Sequence, residues 1–474
     1  MPDPLSEKSP LNDALDAAAE GARGYLERLA DEPVQRPGTE DAVRGWDDPM
    51  PEHGDGTMAA VQELIARGEE AATRSSGPRF FHFVMGGGTP AALAADWLTS
   101  TYDQVAFGWA SSPMGVRLEQ ITIDWLRQLF ELPEGFGGVL TSGATMANFV
   151  ALAAARGRWA EQKGVDVDEA GMAGLDPPAI LSSGYIHPSA VQAIGMLGLG
   201  RANVERLARD DAGRLDIDAL ERRLGEEGSN AIVVANAGEV NAGDFDPVES
   251  MAELASEHGA WLHVDGAFGL FARLTPEAAE LAAGVERADS VIADGHKWLN
   301  VPYDCGFAFV RDAARLPRTF NVGAPYLPSP DDPRPNPGFL TPENSRRARA
   351  LAVWATLRAY GRNGHREMVE RHLALARHLG KRVDASPVLE RLADVKLNIV
   401  CFRAQPDGVP EAELDELNRE LGEELLRDGR VFAGTTTYEG RVAFRPAIVN
   451  WSTQESDVEA LVEVLEELLA ARVG

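Results

Sequence analysis

The sequence predicts an α/β protein whose large domain contains a mostly parallel, doubly wound sheet. Short apolar runs at 231–235, 260–264 and 290–293 alternate with helical patterns along the middle of the chain. Apolar runs of this length are typical of strands buried on both faces, and strands that alternate with helices form parallel sheets. With 474 residues, the chain is long enough for two or three domains.

Composition and charge narrow the class of protein. Hydrophobic residues make up 44% of the chain and charged residues 25%, as in globular proteins. The formal net charge of −29 argues against nucleic acid or an anionic membrane surface as a partner. The two cysteines, Cys305 and Cys401, do not suffice for a disulfide framework and fit a reducing compartment. Residues 1–8 lack the pattern of a signal peptide and no apolar run reaches 18 residues, so we expect a cytoplasmic protein without a membrane span.

The first part of the chain, residues 1–77, predicts a helical N-terminal arm. Apolar residues recur at helical spacing over 11–29 and 58–73, and the segment 33–56 between them is rich in Pro, Gly and Asp. These amphipathic helices have no obvious partner in the sequence. We therefore expect the arm to pack on another surface, such as a second subunit.

Three adjacent glycines, Gly86–Gly88, follow an apolar segment and precede a helix predicted at 91–99. They indicate either a turn that leads into this helix or a close approach of the backbone to a ligand. Phe107 comes before a helix predicted at 114–130. Its ring belongs either to the core or to the wall of a pocket.

The turn Thr141–Thr145 joins a strand that begins at Gly137 to an alanine-rich helix that is predicted to end near Arg158. Small hydroxyl residues and glycine at a helix N-terminus favour anion binding, because free N–H groups and the helix dipole meet there. The same residues also make an ordinary helix cap. The turn alone therefore indicates either a phosphate site or an N-cap.

Three polar residues follow predicted strands, namely His187, Asp265 and Lys297. In an open α/β sheet, ligands bind at the carboxyl ends of the strands, so we expect these side chains at one rim together with Thr141–Thr145. Strands are predicted at 179–182, 231–235, 260–264, 290–293 and 307–310, and helices at 190–197 and 248–258.

The last third of the chain predicts a lid and a small domain. The segment 316–342 holds eight prolines and Tyr326, and such a segment is usually a linker or a lid over a site. A long helix predicted at 343–383 leaves the large domain, 78–365, and leads into a small α+β domain, 366–474. The predicted elements of that domain are strands at 397–403 and 441–449 and helices at 411–427 and 456–471.

The rim residues together predict a site for pyridoxal 5′-phosphate (PLP). A lysine amine can bind the cofactor's aldehyde covalently, and an aspartate can keep the pyridine nitrogen protonated so that the ring accepts electrons. Each residue alone has an ordinary explanation, Asp265 as a helix cap and His187 as a core histidine. As a set, Lys297 would bind the aldehyde, Asp265 the ring nitrogen and His187 the ring face. The phosphate would be bound by Ser142, Ala144 and Thr145.

The stretch Asp289–Cys305, with its His-Lys-Trp-Leu and Val-Pro-Tyr-Asp-Cys motifs, resembles the lysine motif of the group II PLP-dependent amino acid decarboxylases. That family includes the aromatic-L-amino-acid decarboxylases. His263–Asp265 is similar to the strand that carries the family's ring-nitrogen aspartate, and 138–153 to its phosphate-binding turn and helix. The segment 107–113 resembles one that shapes the substrate pocket. The resemblance extends over about 78–362.

The resemblance implies an aspartate-aminotransferase-like fold of type I and a homodimer with active sites at the subunit interface. It implies that Lys297 carries the cofactor, that His187 stacks on the ring and that Asp265 is the pyridinium partner. Asp294 and His296, in the lysine motif, join the cofactor-binding set. Tyr326 matches the mobile-loop tyrosine that protonates the substrate's Cα after CO₂ has left.

The predicted reaction is decarboxylation of an L-amino acid to an amine and CO₂. Phe83 and Phe107 are the predicted substrate-binding residues, and they favour an aromatic or bulky apolar side chain. The chain departs from the family at Glu239-Val240, where many members have threonine, and at 341–347, which lacks the usual tryptophan. Arg346 and Arg445 are candidates for binding an acidic group.

Other functions remain open at this point. Aldehyde synthesis, transamination and retro-aldol cleavage use the same cofactor, although a retained Tyr326 favours decarboxylation. A PLP-sensing regulator would need a DNA-binding region, and no basic patch is evident. His263, Asp265, Asp294 and His296 have the residue types of a metallohydrolase, but known zinc-motif spacings are absent and we expect no metal.

Overall fold

The computed structural model describes residues 10–329 and 332–473. Met1–Ser9, Pro330, Asp331 and Gly474 lie outside the described residues, and so does the segment on which the absence of a signal peptide was predicted. Within the described ranges, no helix is both long and apolar enough to cross a membrane.

Helices make up the N-terminal arm and cover both faces of the large sheet. The α-helices are α1 (Pro10–Glu27), α2 (Thr39–Arg44), α3 (Thr57–Ala71), α4 (Pro90–Tyr102), α5 (Pro113–Leu129), α6 (Ala144–Gln162), α7 (Val167–Ala170), α8 (Pro188–Met196), α9 (Ile217–Glu227), α10 (Val248–His258), α11 (Arg315–Phe320), α12 (Ala350–Ala385), α13 (Glu411–Asp428) and α14 (Glu455–Val473). The strands are β1 (Gly137–Thr141), β2 (Ala179–Ser182), β3 (Val204–Arg206), β4 (Ala231–Asn236), β5 (Trp261–Asp265), β6 (Ser290–Asp294), β7 (Gly306–Val310), β8 (Leu389–Arg391), β9 (Phe402–Ala404), β10 (Thr435–Tyr438) and β11 (Arg441–Phe444).

The large sheet has seven strands in the order β1-β7-β6-β5-β4-β2-β3. Strands β6, β5, β4, β2 and β3 pair in parallel, which confirms the predicted mostly parallel sheet. Strand β7 runs antiparallel to both β1 and β6, so β1 and β6 point the same way. The carboxyl ends of β1, β5 and β6 therefore lie at one edge, where Gly306 pairs with both Thr141 and Asp294.

The apolar runs are strands because both faces of the sheet are covered. Along β6, Val291 and Ala293 join one core cluster while Ile292 joins the other, as period-two alternation requires. Along β5, Leu262 and Val264 face the first cluster. The sheet is thus doubly wound, as the lack of a polar face in these runs predicted.

The small domain has a four-stranded antiparallel sheet, in the order β10-β11-β9-β8, against α12, α13 and α14. Phe81 packs in its core although it precedes the large domain's strands, and Phe80 forms a bridge with Phe432. Helix α12 links the two domains and is interrupted at Gly361, whose φ of 62° lies in the left-handed region that glycine adopts without strain.

Three elements in the last third of the chain differ most from the prediction: the long helix, the strand predicted at 397–403, and the strand predicted at 441–449, which ends at Phe444. The long helix begins at Ala350 rather than at 343, because the preceding segment is held by ion pairs: Arg346 with Glu119 at 2.9 Å and Arg349 with Asp304 at 2.6 Å. Of the strand predicted at 397–403, only the end is a strand, namely the start of β9 (Phe402–Ala404). Ile399, in the earlier part, makes an isolated bridge with Ala447 rather than a regular ladder. Strand β3 and helix α9, which close the far edge of the large sheet, were not predicted.

Candidate functional site

Lys297 lies just past the carboxyl end of β6, in a largely enclosed position. Its Nζ is 3.1 Å from Oδ2 of Asp294 and 5.9 Å from the centre of the Phe268 ring, and 19% of its side chain is exposed. Every residue of β6 is buried, so the strand fixes where the lysine emerges. The amine is accessible to a small molecule but largely shielded from water.

His296 lies beside the same carboxylate. Its Nε2 is 3.6 Å from Oδ2 of Asp294, its ring stacks on Tyr303 with centroids 4.2 Å apart, and its Nδ1 accepts a hydrogen bond from the Cys305 N–H. Burial lowers the pKa of His296, and the negative charge of Asp294 partly opposes that effect. Oδ1 of Asp294 is buried and has no hydrogen-bond partner among the described residues. This leaves one acceptor available to a bound group.

Asp265 ends the neighbouring strand β5 and is also buried. Its Oδ2 accepts a hydrogen bond of 3.0 Å from Nδ2 of Asn148, and its Oδ1 accepts one of 3.1 Å from the Ala267 N–H. Each oxygen has one protein donor, so the carboxylate keeps acceptor capacity for a further N–H group.

His187 caps the N-terminus of α8, and its Nδ1 accepts a hydrogen bond from the Ser189 N–H. Burial lowers the pKa of His187; the carboxylate of Asp265 opposes this effect, and the positive charges of Lys297 and Arg445 add to it. His187 is therefore within the electrostatic reach of Asp265, Lys297 and Arg445. The structure therefore brings His187, Asp265 and Lys297 close together at the edge of the sheet.

The predicted phosphate turn lies at the same edge. Helix α6 begins after Gly143 without a side-chain cap, so the N–H groups at its first turn are not used by a capping side chain. A β-carbon on Gly143 would be 3.2 Å from Cε1 of His296 and 3.6 Å from Oδ1 of Asp294. Ser142, Ala144 and Thr145 thus flank a helix N-terminus that adjoins the lysine motif, an arrangement that suits a phosphate.

This geometry fits PLP: an accessible amine, a carboxylate with spare acceptor capacity and an uncapped helix N-terminus meet at one rim. A model of the pyridoxal-dependent decarboxylase conserved domain matches residues 40–405 of the chain. The chain belongs to this family. The predicted resemblance, the PLP cofactor and the assignment as an amino acid decarboxylase are thereby confirmed.

Known proteins resemble this decarboxylase along nearly its whole length. An aromatic-L-amino-acid decarboxylase of Bacillus atrophaeus is 27% identical over 94% of this chain and 92% of its own length. A phenylacetaldehyde synthase of Arabidopsis thaliana is 26% identical over 89% of this chain and 87% of its own. The crystal structure of Oryza sativa TDC with PLP and tryptamine superposes with a TM-score of 0.89 at 26% identity, covering 99% of both chains. The predicted fold of type I is confirmed.

Arg445 of the decarboxylase is a half-buried cation, whereas Arg346 is buried. Arg346 is committed to Glu119 and to the Leu140 carbonyl in the core, which accounts for its charge. Arg445 forms no ion pair within residues 10–329 and 332–473; its Nη2 donates to the Phe83 carbonyl at 3.4 Å, and its buried Nε has no partner there. Burial lowers the pKa of Arg445, and Glu239 opposes that effect, but a guanidinium remains charged.

Three predicted residues make no side-chain hydrogen bond or ring contact with Lys297, Asp265 or His187 among the described residues. Phe83 is 58% exposed and has a φ of 55°, an uncommon value outside glycine that turns its carbonyl to Arg445. Phe107 packs edge-to-face on Phe339, 5.4 Å between centroids, at the base of the lid. Tyr326 is 86% exposed, and its side chain makes no hydrogen bond or ring contact in the described part of the chain.

Sequence reasoning missed Asn148 and Ser189 and gave His263 no role in cofactor binding. Asn148 connects His263 to Asp265 by hydrogen bonds of 2.7 and 3.0 Å. One signal was available for His263, which stands two residues before Asp265 and so faces the same side of β5. Nothing in the sequence distinguishes Asn148, on a helix 115 residues from its histidine partner.

Proposed function

We propose that this decarboxylase acts on L-amino acids with an aromatic or bulky apolar side chain and releases CO₂ and the corresponding amine. The observation that carries the proposal is Arg445, a half-buried cation without an ion pair among the described residues, whose charge acts on His187. An enclosed guanidinium is stabilised when a carboxylate joins it, and every amino acid substrate brings one. Its relatives include an aromatic-L-amino-acid decarboxylase and a structure solved with tryptamine.

Each site residue has a role in this proposal. Lys297 would hold the cofactor's aldehyde, Asp265 would accept the ring N–H, and His187 would lie against the ring. Bound PLP supplies the electron sink for the pair left when the bond between Cα and the carboxylate breaks. Ser142, Ala144 and Thr145 donate to the phosphate, and Asp294 and His296 complete the wall of the cofactor site.

Arg445 docks the substrate carboxylate and Tyr326 returns a proton to Cα, with His187 as the second candidate donor. Tyr326 is on the proline-rich lid, 316–342, and its 86% exposure supports a movement onto the site when substrate binds. The closed lid excludes water. Phe83 and Phe107 contact the substrate side chain, which favours an aromatic group.

We further propose a homodimer whose active sites are shared. A groove of about 670 Å³, lined mostly by apolar residues, runs between α1, α3 and α4 and ends at Tyr303. Exposed apolar side chains around it include Leu15, Leu64 and Trp97. Tyr303 itself is 56% exposed although it stacks on His296, so a surface that covers the groove also reaches the cofactor site.

The domain limits and the location of the protein belong to the proposal too. We assign residues 1–77 to the arm, 78–365 to the cofactor domain and 366–474 to the small domain. Both cysteines are free and buried, which supports a reducing, cytoplasmic setting.

A screen of the twenty amino acids for CO₂ release, with products identified by mass spectrometry, tests this function. We expect the highest turnover with an aromatic amino acid and a single amine product. The control is Lys297→Ala, which should lose both turnover and the visible absorbance band of the bound cofactor. Preferred release from an acidic or a cationic amino acid would refute the substrate class. An aldehyde as the main product would favour the synthase reaction of the Arabidopsis relative.

A further inference from the structure

A chain of hydrogen bonds runs through the core to Asp265. Nε1 of Trp261 donates to Oγ of Ser290 at 3.0 Å, and this hydroxyl is 2.8 Å from Nδ1 of His263. Nε2 of His263 is 2.7 Å from Oδ1 of Asn148, whose Nδ2 donates to Oδ2 of Asp265 at 3.0 Å. All five residues are buried.

The direction of each bond follows from the chemistry at the two ends. An ionised carboxylate only accepts, so the amide of Asn148 must face Asp265 with its NH₂ group and His263 with its oxygen. His263 then carries its proton on Nε2 and accepts the Ser290 hydroxyl proton on Nδ1. Burial lowers the pKa of His263 to about 4, so the ring is neutral at physiological pH. Every donor in this series of hydrogen bonds points towards Asp265.

A branch of the same chain reaches His187. The second N–H of Asn148 is directed at Oγ of Ser189, 3.4 Å away, and this hydroxyl is 2.7 Å from Nδ1 of His187. Because Nδ1 also accepts the Ser189 N–H, it bears no proton, and the hydroxyl donates to it. His187 thus holds its own proton on Nε2. Asn148 uses its acceptor and both of its donors.

We propose that Asn148 and His263 are positioning residues that keep Asp265 ionised and His187 in one tautomer when the cofactor is bound. The inference rests on the proposed contact between Asp265 and the ring nitrogen. The Asp265 carboxylate and the ring nitrogen would share one proton. Hydrogen-bond donors directed at the carboxylate lower the carboxylate's affinity for that proton. The proton is thereby left on the ring nitrogen, where it strengthens the electron sink.

The experiment uses protein loaded with PLP that carries ¹⁵N in the ring, without substrate. In the wild type we expect the ¹⁵N chemical shift of a protonated pyridine. His263→Leu removes the donor to Asn148, and Asn148→Ala removes the donor to Asp265; both should move the shift towards neutral pyridine. His263→Gln should restore the wild-type shift, because its side-chain N–H can still donate to Asn148. Ser182→Ala, which removes a buried bond to the Val234 carbonyl, is the structural control and should leave the shift unchanged.

Each outcome decides one point. A neutral-pyridine shift already in the wild type would refute the role of Asp265 and the inference with it. A protonated shift that persists in Asn148→Ala would refute only the positioning role, and so would equal shifts in His263→Leu and His263→Gln. If His263→Leu does not fold or does not bind PLP, the ¹⁵N chemical shifts of Asn148→Ala and His263→Gln decide whether the positioning role holds.

Discussion

Gly86 lies directly against the backbone carbonyl of Lys297. A β-carbon on Gly86 would be 1.8 Å from that oxygen, and the Gly86 N–H donates to the His296 carbonyl at 3.2 Å. Gly86 thus serves a close approach to the chain's own backbone at Lys297. Through this contact, a segment from the N-terminal half of the chain supports the backbone that follows β6.

We expect Gly86→Ala to displace the backbone at Lys297, with a cost of about 3 kcal/mol, because the contact is with backbone atoms that cannot rotate away. The variant should unfold at lower urea concentration and show a weaker cofactor absorbance band at equal PLP. Gly88→Ala is the matched control, since its β-carbon would be 3.3 Å from the nearest atom, on Pro302. Equal stability of the two variants would contradict the proposed contact.

Tyr326→Phe should lose amine formation while still releasing CO₂. Without a proton donor the carbanion at Cα reacts with O₂, so aldehyde, ammonia and hydrogen peroxide should appear, in amounts that match the oxygen consumed. Mass spectrometry and an oxygen electrode measure these products. Tyr102→Phe, at another exposed tyrosine, is the control. An unchanged yield of amine would remove Tyr326 from the mechanism.

Arg445→Gln should raise KM for the amino acid by about 10- to 100-fold, because a hydrogen bond to a charged group contributes about 1.5–3 kcal/mol. The affinity for PLP should change little, since the cofactor is held by other residues. Arg441→Gln is the control: Arg441 begins β11, the strand that ends one residue before Arg445, and it pairs with Glu439 at 2.8 Å. A KM that stays at the wild-type value would show that the substrate carboxylate binds elsewhere.

Stability should fall as the pH decreases from about 6.5 towards 4. Burial lowers the pKa values of His263 and His365 to about 4 and that of His372 to about 3, whereas unfolded histidine titrates near 6.5. Below pH ~6.5 the unfolded state binds protons that the folded state does not, at up to about 1.4 kcal/mol per pH unit for each histidine. Above that pH these histidines are neutral in both states, so their stabilising contribution to the free energy of unfolding is fully present.

Urea unfolding at several pH values measures this slope. His365→Leu should reduce it by about 1.4 kcal/mol per pH unit, because one of the neutral histidines is gone. His53→Leu, at an exposed histidine, is the control. A slope that His365→Leu leaves unchanged would mean that this histidine is protonated in the folded protein.

The local pattern was sufficient for most elements of the cofactor domain. Strand β2 and helix α10 begin and end at the predicted residues, because their apolar periodicity and flanking breakers are local signals. The start of α12 was predicted too early, since Arg346 and Arg349 pair with residues distant in sequence. A helical pattern cannot reveal such pairs.

The sequence by itself determined the fold class, the cofactor and the residues at the strand ends, because strand direction in a parallel sheet brings those ends to one rim. Only the tertiary structure decided what surrounds them. Arg445 proved to have no ion pair among the described residues, whereas Arg346 is neutralised by Glu119, and Asn148 proved to be the link between Asp265 and His187. These properties depend on contacts between segments far apart in the chain, which hydrophobic periodicity does not encode.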